Sequence, residues 1–148
     1  MFSRIISAIA FYREDGTILI QDRRNIIKDD IEWGFFGGGR EDHETPPQTA
    51  LREVCEELNI QLEEKDLEEA GFFIEEQTGI VRYETTLFMT PWKNEYERDF
   101  QVLEWSGSEW VTPKEMKPRH IYPIMHVFLG AVEQFMKDRW ITQTTNSI

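Results

Sequence analysis

The sequence holds a single cysteine, Cys55, so no disulfide can form within the 148-residue chain. It also lacks an apolar run long enough to cross a bilayer. The best candidate, Ile5 to Tyr12, is short, runs into Arg13, Glu14 and Asp15, and has neither the length nor the cleavage site of a signal peptide. It reads as a strand. Basic residues are scarce: 16 Lys and Arg stand against 28 Asp and Glu, leaving a formal charge of −12. That balance excludes broad, phosphate-driven binding of long nucleic acid. It does not exclude a small anionic substrate, because bound Mg²⁺ or Mn²⁺ would invert the local charge. The three histidines, His43, His120 and His126, have no zinc-ligand spacing. Repeats, linkers and low-complexity blocks are missing too. What is present, 40% apolar and 30% charged residues, fits one globular domain with its own core in a reducing cytoplasm, away from membranes.

Turn signals divide the chain. Residues 3–12 and 17–22 read as strands joined at Asp15-Gly16, and Ala70–Gln77 and Ile80–Thr90 as a second hairpin around Thr78-Gly79. Asn25–Glu32 is a polar loop near the mouth of the site, Trp33–Phe36 a short aromatic segment, and Gly37–Gly39 a glycine turn. A charged loop covers Pro91–Asp99, a strand lies within Phe100–Val111, and Thr112-Pro113 starts a turn or short helix. From Pro123, the residues Ile124, Val127, Phe128, Ala131, Val132, Phe135 and Met136 recur at helical spacing as a core stripe ending near Trp140. The domain is expected over 1–141, with 142–148 a polar, frayed tail. Two helices flanking a hairpin-rich sheet make an α/β sandwich.

The most informative segment runs from Gly38 to Ile60. Thr45 is a good N-cap, Gln48 completes a capping box, Pro46 suits the first helical position, and Asn59 can take the left-handed conformation that ends the helix. At about 100° per residue, Ala50, Leu51, Val54, Cys55 and Leu58 fall on one side, making Cys55 a buried thiol. Arg52, Glu53, Glu56 and Glu57 fall on the other. A solvated polar face is the ordinary meaning of such charges. Here, however, three glutamates crowd within two turns, which destabilises a helix unless a cation compensates. Glycines just before the helix let backbone approach an ion or phosphate closely. Hard Mg²⁺ or Mn²⁺ prefers oxygen ligands, and Glu53, Glu56 and Glu57 with the Gly38 carbonyl supply them.

Gly38, Glu44, Arg52, Glu53, Val54, Glu56, Glu57 and Ile60 fall on the signature of the Nudix hydrolases, and the segment resembles that box with Asn59 in place of one glycine. The resemblance implies an α/β/α sandwich with a mixed sheet clamped between helices. It implies metal-dependent hydrolysis of a phosphoanhydride in a nucleoside triphosphate or another nucleoside diphosphate-linked compound, with water as nucleophile. Glu56 and Glu57 would ligate the metal, and Glu53 would ligate or act as base. Arg52 would orient Glu53 and pair with Glu44. A further acid outside the box often completes such sites; Glu95, Glu97, Asp99 and Glu104 are the candidates, with Glu104 preferred.

Substrate selection falls to other positions. Arg23 stands where MutT-like members carry an arginine near substrate phosphates. Phe35, Trp33 and Tyr122 are candidates to stack a base, and Gly37 to line the pocket. Phe36 and His43 replace the proline and glycine usual beside the box and reshape the pocket rim. Pro118–Pro123 offers no Asn, so the resemblance does not carry a preference for oxidised guanine nucleotides. The alternatives are an ADP-ribose or nucleotide-sugar pyrophosphatase, a Nudix-fold nucleotide sensor without turnover, and a plain acidic α/β domain. Monomer and homodimer both remain open.

Overall fold

The structure, a computed structural model, describes residues 2–26 and 30–146, the stretch 141–146 as backbone only. Part of the Asn25–Glu32 loop therefore lies outside the described residues. Strand β1 (Phe2–Tyr12) is the axis of the molecule. It pairs in parallel with β6 (Val81–Pro91) along its whole length, from Phe2↔Val81 to Tyr12↔Pro91. β5 (Glu68–Gln77) adds to β6 as the antiparallel hairpin expected around Thr78-Gly79, where φ of 54° and 71° gives the primed turn. On its other side β1 is shared. It meets β2 (Ile18–Asp22) at Tyr12↔Ile18, then diverges from it, and β4 (Phe36–Gly39) pairs with Ile6–Ile9. β2 carries β3 (Trp33–Gly34) and β7 (Gly107–Val111) as antiparallel neighbours. The sheet is thus mixed and forks at β1.

Helices cover both faces, giving the α/β/α sandwich. The even residues Ala8, Ala10 and Tyr12 of β1 point to one core with Ile18, Ile20, Phe128, Leu129 and Val132 under α3 (Pro123–Asn146). The odd residues Ile9 and Phe11 point to the other, with Ala50, Val54 and Leu58 of α1 (Pro46–Leu58). A strand buried on both sides reads as a continuous apolar run, which is why Ile5–Tyr12 stood out. α2 (Pro113–Met116) is one capped turn at Thr112-Pro113.

Three sequence expectations change. Gly37–Gly39 is not a turn but an edge of β4, because a Cβ on Gly37, whose φ is +140°, would lie 2.9 Å from Ala8 Cα. At Gly37 β4 can lie this close to β1 only without a side chain. Val127 is 51% exposed and leaves the α3 stripe. The backbone of α3 continues past Trp140, the end read from the apolar spacing, to Asn146. Among the described residues no helix is long and apolar enough to cross a membrane.

Candidate active site

α1 forms as its residues dictate. The Thr45 side chain accepts from Gln48 N–H, the Gln48 side chain accepts from Thr45 N–H, and Asn59 ends the helix at φ 57° with its N–H on the Cys55 carbonyl. Two side chains lie differently from the helical-wheel reading. Cys55 is exposed, and Glu57 is 1% exposed. On the wheel Glu57 falls about 60° from Val54, within the apolar stripe, while Cys55 falls about 100° away on the flank. The site is therefore a carboxylate sunk beneath the helix together with others on its rim.

Glu57 is held from two directions. Its Oε1 accepts from Gly37 N–H at 3.1 Å and its Oε2 from Trp105 Nε1–H at 2.7 Å. The Gln21 amide completes the wall. In one orientation Nε2 donates to Glu57 Oε2 at 3.3 Å; turned over, it serves the Phe35 carbonyl and Trp105. Burial, and then the neighbouring Glu53, push the Glu57 carboxyl above the usual range against the pull of those hydrogen bonds. Glu53 owes its place to Gly38, where a Cβ would meet the Glu53 carboxyl carbon at 2.5 Å.

Arg52 organises the rim. Its Nε and Nη2 donate to Glu44 at 2.8 and 3.0 Å, Nη1 to Glu53 at 2.9 Å and Glu56 at 3.3 Å, and Nη2 also to the Gly39 carbonyl at 2.8 Å. Glu44, accepting in turn from Thr49 Oγ1 and Glu41 N–H, is held down at about 2, chiefly by the Arg52 guanidinium. His43 precedes it at φ 59°, the left-handed region that the glycine usual there would enter freely. Of the four acids outside the box, Glu104 joins the cluster. Burial and then the charges of Glu53 and Glu56 raise its pKa. Glu97 instead pairs with Arg13 and Trp92, and Asp99 with Arg98.

Do these residues suit a divalent ion? Among the described residues, no three acidic, histidine or cysteine side chains are already gathered at ligand distance. Arg52 bridges Glu53 and Glu56. The donors nonetheless fit a hard cation. They are all oxygens, and Glu53 stands close to Glu57 and Glu104. With the Gln21 amide turned to the Phe35 carbonyl, the buried carboxylate keeps a free lone-pair position on each oxygen. A cation here would offset the burial, and then the like charges, that lift Glu57 and Glu104.

The substrate candidates separate. Arg23 is half-buried, its guanidinium 5.0 Å from the Trp105 ring and 5.6 Å from that of Tyr122, and its Nε has no hydrogen-bond partner among the described residues. Phe35 is buried at 7% exposure, edge-on to Phe128, as core rather than as an open stacking face. Trp33 lies away between the guanidinium groups of Arg24 and Arg119. Gly37 is spent on Glu57. Trp105 and Gln21 are not singled out by the sequence, in which Trp105 lies within Phe100–Val111 and Gln21 within the strand 17–22.

The comparisons with known proteins agree with this geometry. A family model described as the NUDIX domain matches residues 1–129. A Mycobacterium tuberculosis protein named "Putative 8-oxo-dGTP diphosphatase 3" is 45% identical over 53 residues, 34% of this chain and 24% of its own length. The match thus spans about a quarter of that curated relative. Among solved structures, the E. coli ORF135 protein superposes with a TM-score of 0.70 at 24% identity, over 94% of this chain and 92% of the other. A MutT NUDIX hydrolase from Burkholderia pseudomallei gives 0.70 at 19% identity, over 90% and 98%.

Proposed function

The chain belongs to the NUDIX domain family, and on that premise we propose that it is a Mg²⁺- or Mn²⁺-dependent pyrophosphohydrolase acting on a nucleoside triphosphate. The observation that carries this reading is Glu57, a carboxylate almost wholly buried beside Glu53 and fixed by Gly37 and Trp105, with Glu53, Glu56 and Glu104 above it. Sinking a carboxylate among others costs stability, and a site that retains it uses it.

A bound divalent ion supplies charge neutralisation at the phosphate oxygens, held by Glu53, Glu56, Glu57 and the Gly38 carbonyl. The protein's own groups do the rest. Arg52, locked to Glu44, sets the direction of Glu53. Glu53 or Glu104 takes the proton of the attacking water. Water adds at phosphorus, one P–O–P bond breaks, and a nucleoside monophosphate and pyrophosphate leave. Arg23, with its unpartnered Nε, meets phosphate oxygen, and the Tyr122 ring flanks the nucleoside. The name of the Mycobacterium tuberculosis relative supports a triphosphate as the substrate class.

The test is a panel of nucleoside triphosphates, ADP-ribose and nucleotide sugars with Mg²⁺, read as released phosphate. Inorganic pyrophosphatase is added to the triphosphates, and alkaline phosphatase to ADP-ribose and the nucleotide sugars, whose products are phosphate monoesters. Turnover of a triphosphate is expected. Binding of nucleotides with no member split would leave a sensor, and the hydrolase reading would fail.

A further inference from the structure

The loop from Asp99 to Ser106 is sewn to the end of α1. Gln101 N–H donates to the Leu58 carbonyl at 3.1 Å, Leu103 N–H to the Glu57 carbonyl at 2.8 Å, and Asn59 Nδ2 to the Asp99 carbonyl at 2.9 Å. At its far end Ser106 N–H donates to the Asp22 carbonyl at 3.0 Å, and Ser106 Oγ accepts from Asn25 N–H at 2.7 Å. The last carbonyls of a helix have no partner within it. Here they anchor the loop, so the position of Trp105 is coupled to that of Glu57 through the backbone as well as through the side chains.

Trp105 faces two ways. Its indole N–H donates to Glu57 Oε2 at 2.7 Å, and its ring carries the Arg23 guanidinium at 5.0 Å. An indole is rigid and has one donor and no acceptor, so it can fix a carboxylate oxygen without competing for a cation. Its face attracts a guanidinium and restricts where that group can lie.

We infer that Trp105 is a positioning residue joining the two halves of the site: its N–H sets the Glu57 carboxylate for the metal, and its ring sets Arg23 for the substrate phosphates. This rests on Glu57 being a metal ligand, as proposed above. The two roles reside in different atoms of one side chain and can be separated by substitution. Trp105→Phe keeps an aromatic face for Arg23 and removes the donor, whereas Trp105→Leu removes both.

Mn²⁺ binding, followed by the electron paramagnetic resonance of the free ion, reads the first role without turnover. Trp105→Phe is expected to weaken Mn²⁺ about tenfold, in the range for loss of a hydrogen bond that orients a ligand. Its KM for a nucleoside triphosphate at saturating metal should stay within about twofold of wild type, because the ring that holds Arg23 remains. Trp105→Leu is expected to weaken Mn²⁺ similarly and also to raise KM about tenfold, on the scale of one lost cation–π contact. A purely structural role predicts lower melting temperatures for both with unchanged Mn²⁺ affinity and KM. That result would overturn the inference.

Wild-type protein gives a readout that needs no variant to fold. With ¹⁵N-labelled tryptophan, the assigned Trp105 indole N–H signal should shift on Mg²⁺ addition and broaden early with Mn²⁺. Metal binding with that signal unmoved would sink the proposal alone. Wild type that binds no Mn²⁺ would overturn the metal reading along with it.

Discussion

Arg52 and Glu44 form a two-point clamp, Nε to Oε2 at 2.8 Å and Nη2 to Oε1 at 3.0 Å, and the remaining arm of the same guanidinium reaches Glu53. Neither needs to touch substrate to matter. A planar fork held at two points fixes the third, and lysine, a single point charge, cannot reproduce that geometry. Arg52→Lys and Glu44→Gln are each expected to lower kcat about 10- to 100-fold with the circular dichroism spectrum retained. Because they act as one unit, the double variant should lose no more than the worse single variant. Losses that multiply would show that the two act independently.

Adjacent glycines separate fold from chemistry. A methyl at Gly37 meets the backbone of Ser7 and Ala8 and forces φ of +140° on an L residue, and neither strand can retreat from it. Gly37→Ala should cost about 2 kcal/mol or more of stability. At Gly38 the obstacle is the carboxylate end of Glu53, which can swing aside. Gly38→Ala should hold stability to within about 1 kcal/mol while Mn²⁺ binding and turnover fall at least tenfold. Thermal melts beside Mn²⁺ titrations distinguish the two outcomes.

Glu56 lies on the rim, its side chain 48% exposed and 3.3 Å from Arg52. An exposed ligand contributes little to the core, so Glu56→Gln should change stability by no more than about 0.5 kcal/mol and lower kcat at least 100-fold. Titrating Mn²⁺ against melting temperature adds a second reading: wild type should gain stability as the ion binds the folded state, and the variant should gain less. Normal turnover by Glu56→Gln would remove it from the site.

Much of this was readable in the chain, because much of it is local. Thr45, Gln48, Pro46 and Asn59 act within a few residues of one another, so the limits of α1 were written in its caps. The β5–β6 hairpin was marked by Thr78-Gly79 in the same way. The spacing of Glu53, Glu56 and Glu57 is also local, and so is the place of Glu57 beside the apolar stripe, but what holds its buried carboxylate is not. It depends on Gly37, 20 positions before it, and Trp105, 48 positions after it, and no helical wheel contains either. Gly37–Gly39 looked like a bend because glycine permits one. Only the strand alongside shows that glycine is there for close approach. Glu104 could be singled out from its competitors only weakly until Glu97 and Asp99 were seen with cations of their own.

Tyr12 gives a prediction away from the site. Its hydroxyl is buried without a hydrogen-bond partner among the described residues, and the ring packs edge-on to Phe135 under α3. Burial, reinforced by Glu68 and opposed by Arg139, pushes the phenol up to about 12 from its ordinary 10. A raised folded value means that the folded state favours the neutral phenol. Its contribution to stability is therefore complete below about pH 10 and is lost as pH climbs toward 12. Two units correspond to roughly 2–3 kcal/mol between those limits. Tyr12→Phe cannot ionise, so its alkaline melting curve should lack this drop. At neutral pH it should match wild type or exceed it by up to about 1 kcal/mol, because an unpaired buried hydroxyl is removed. Parallel alkaline melts of the two proteins would reveal the difference; identical curves from pH 9 to 12 would mean that the hydroxyl reaches solvent in solution.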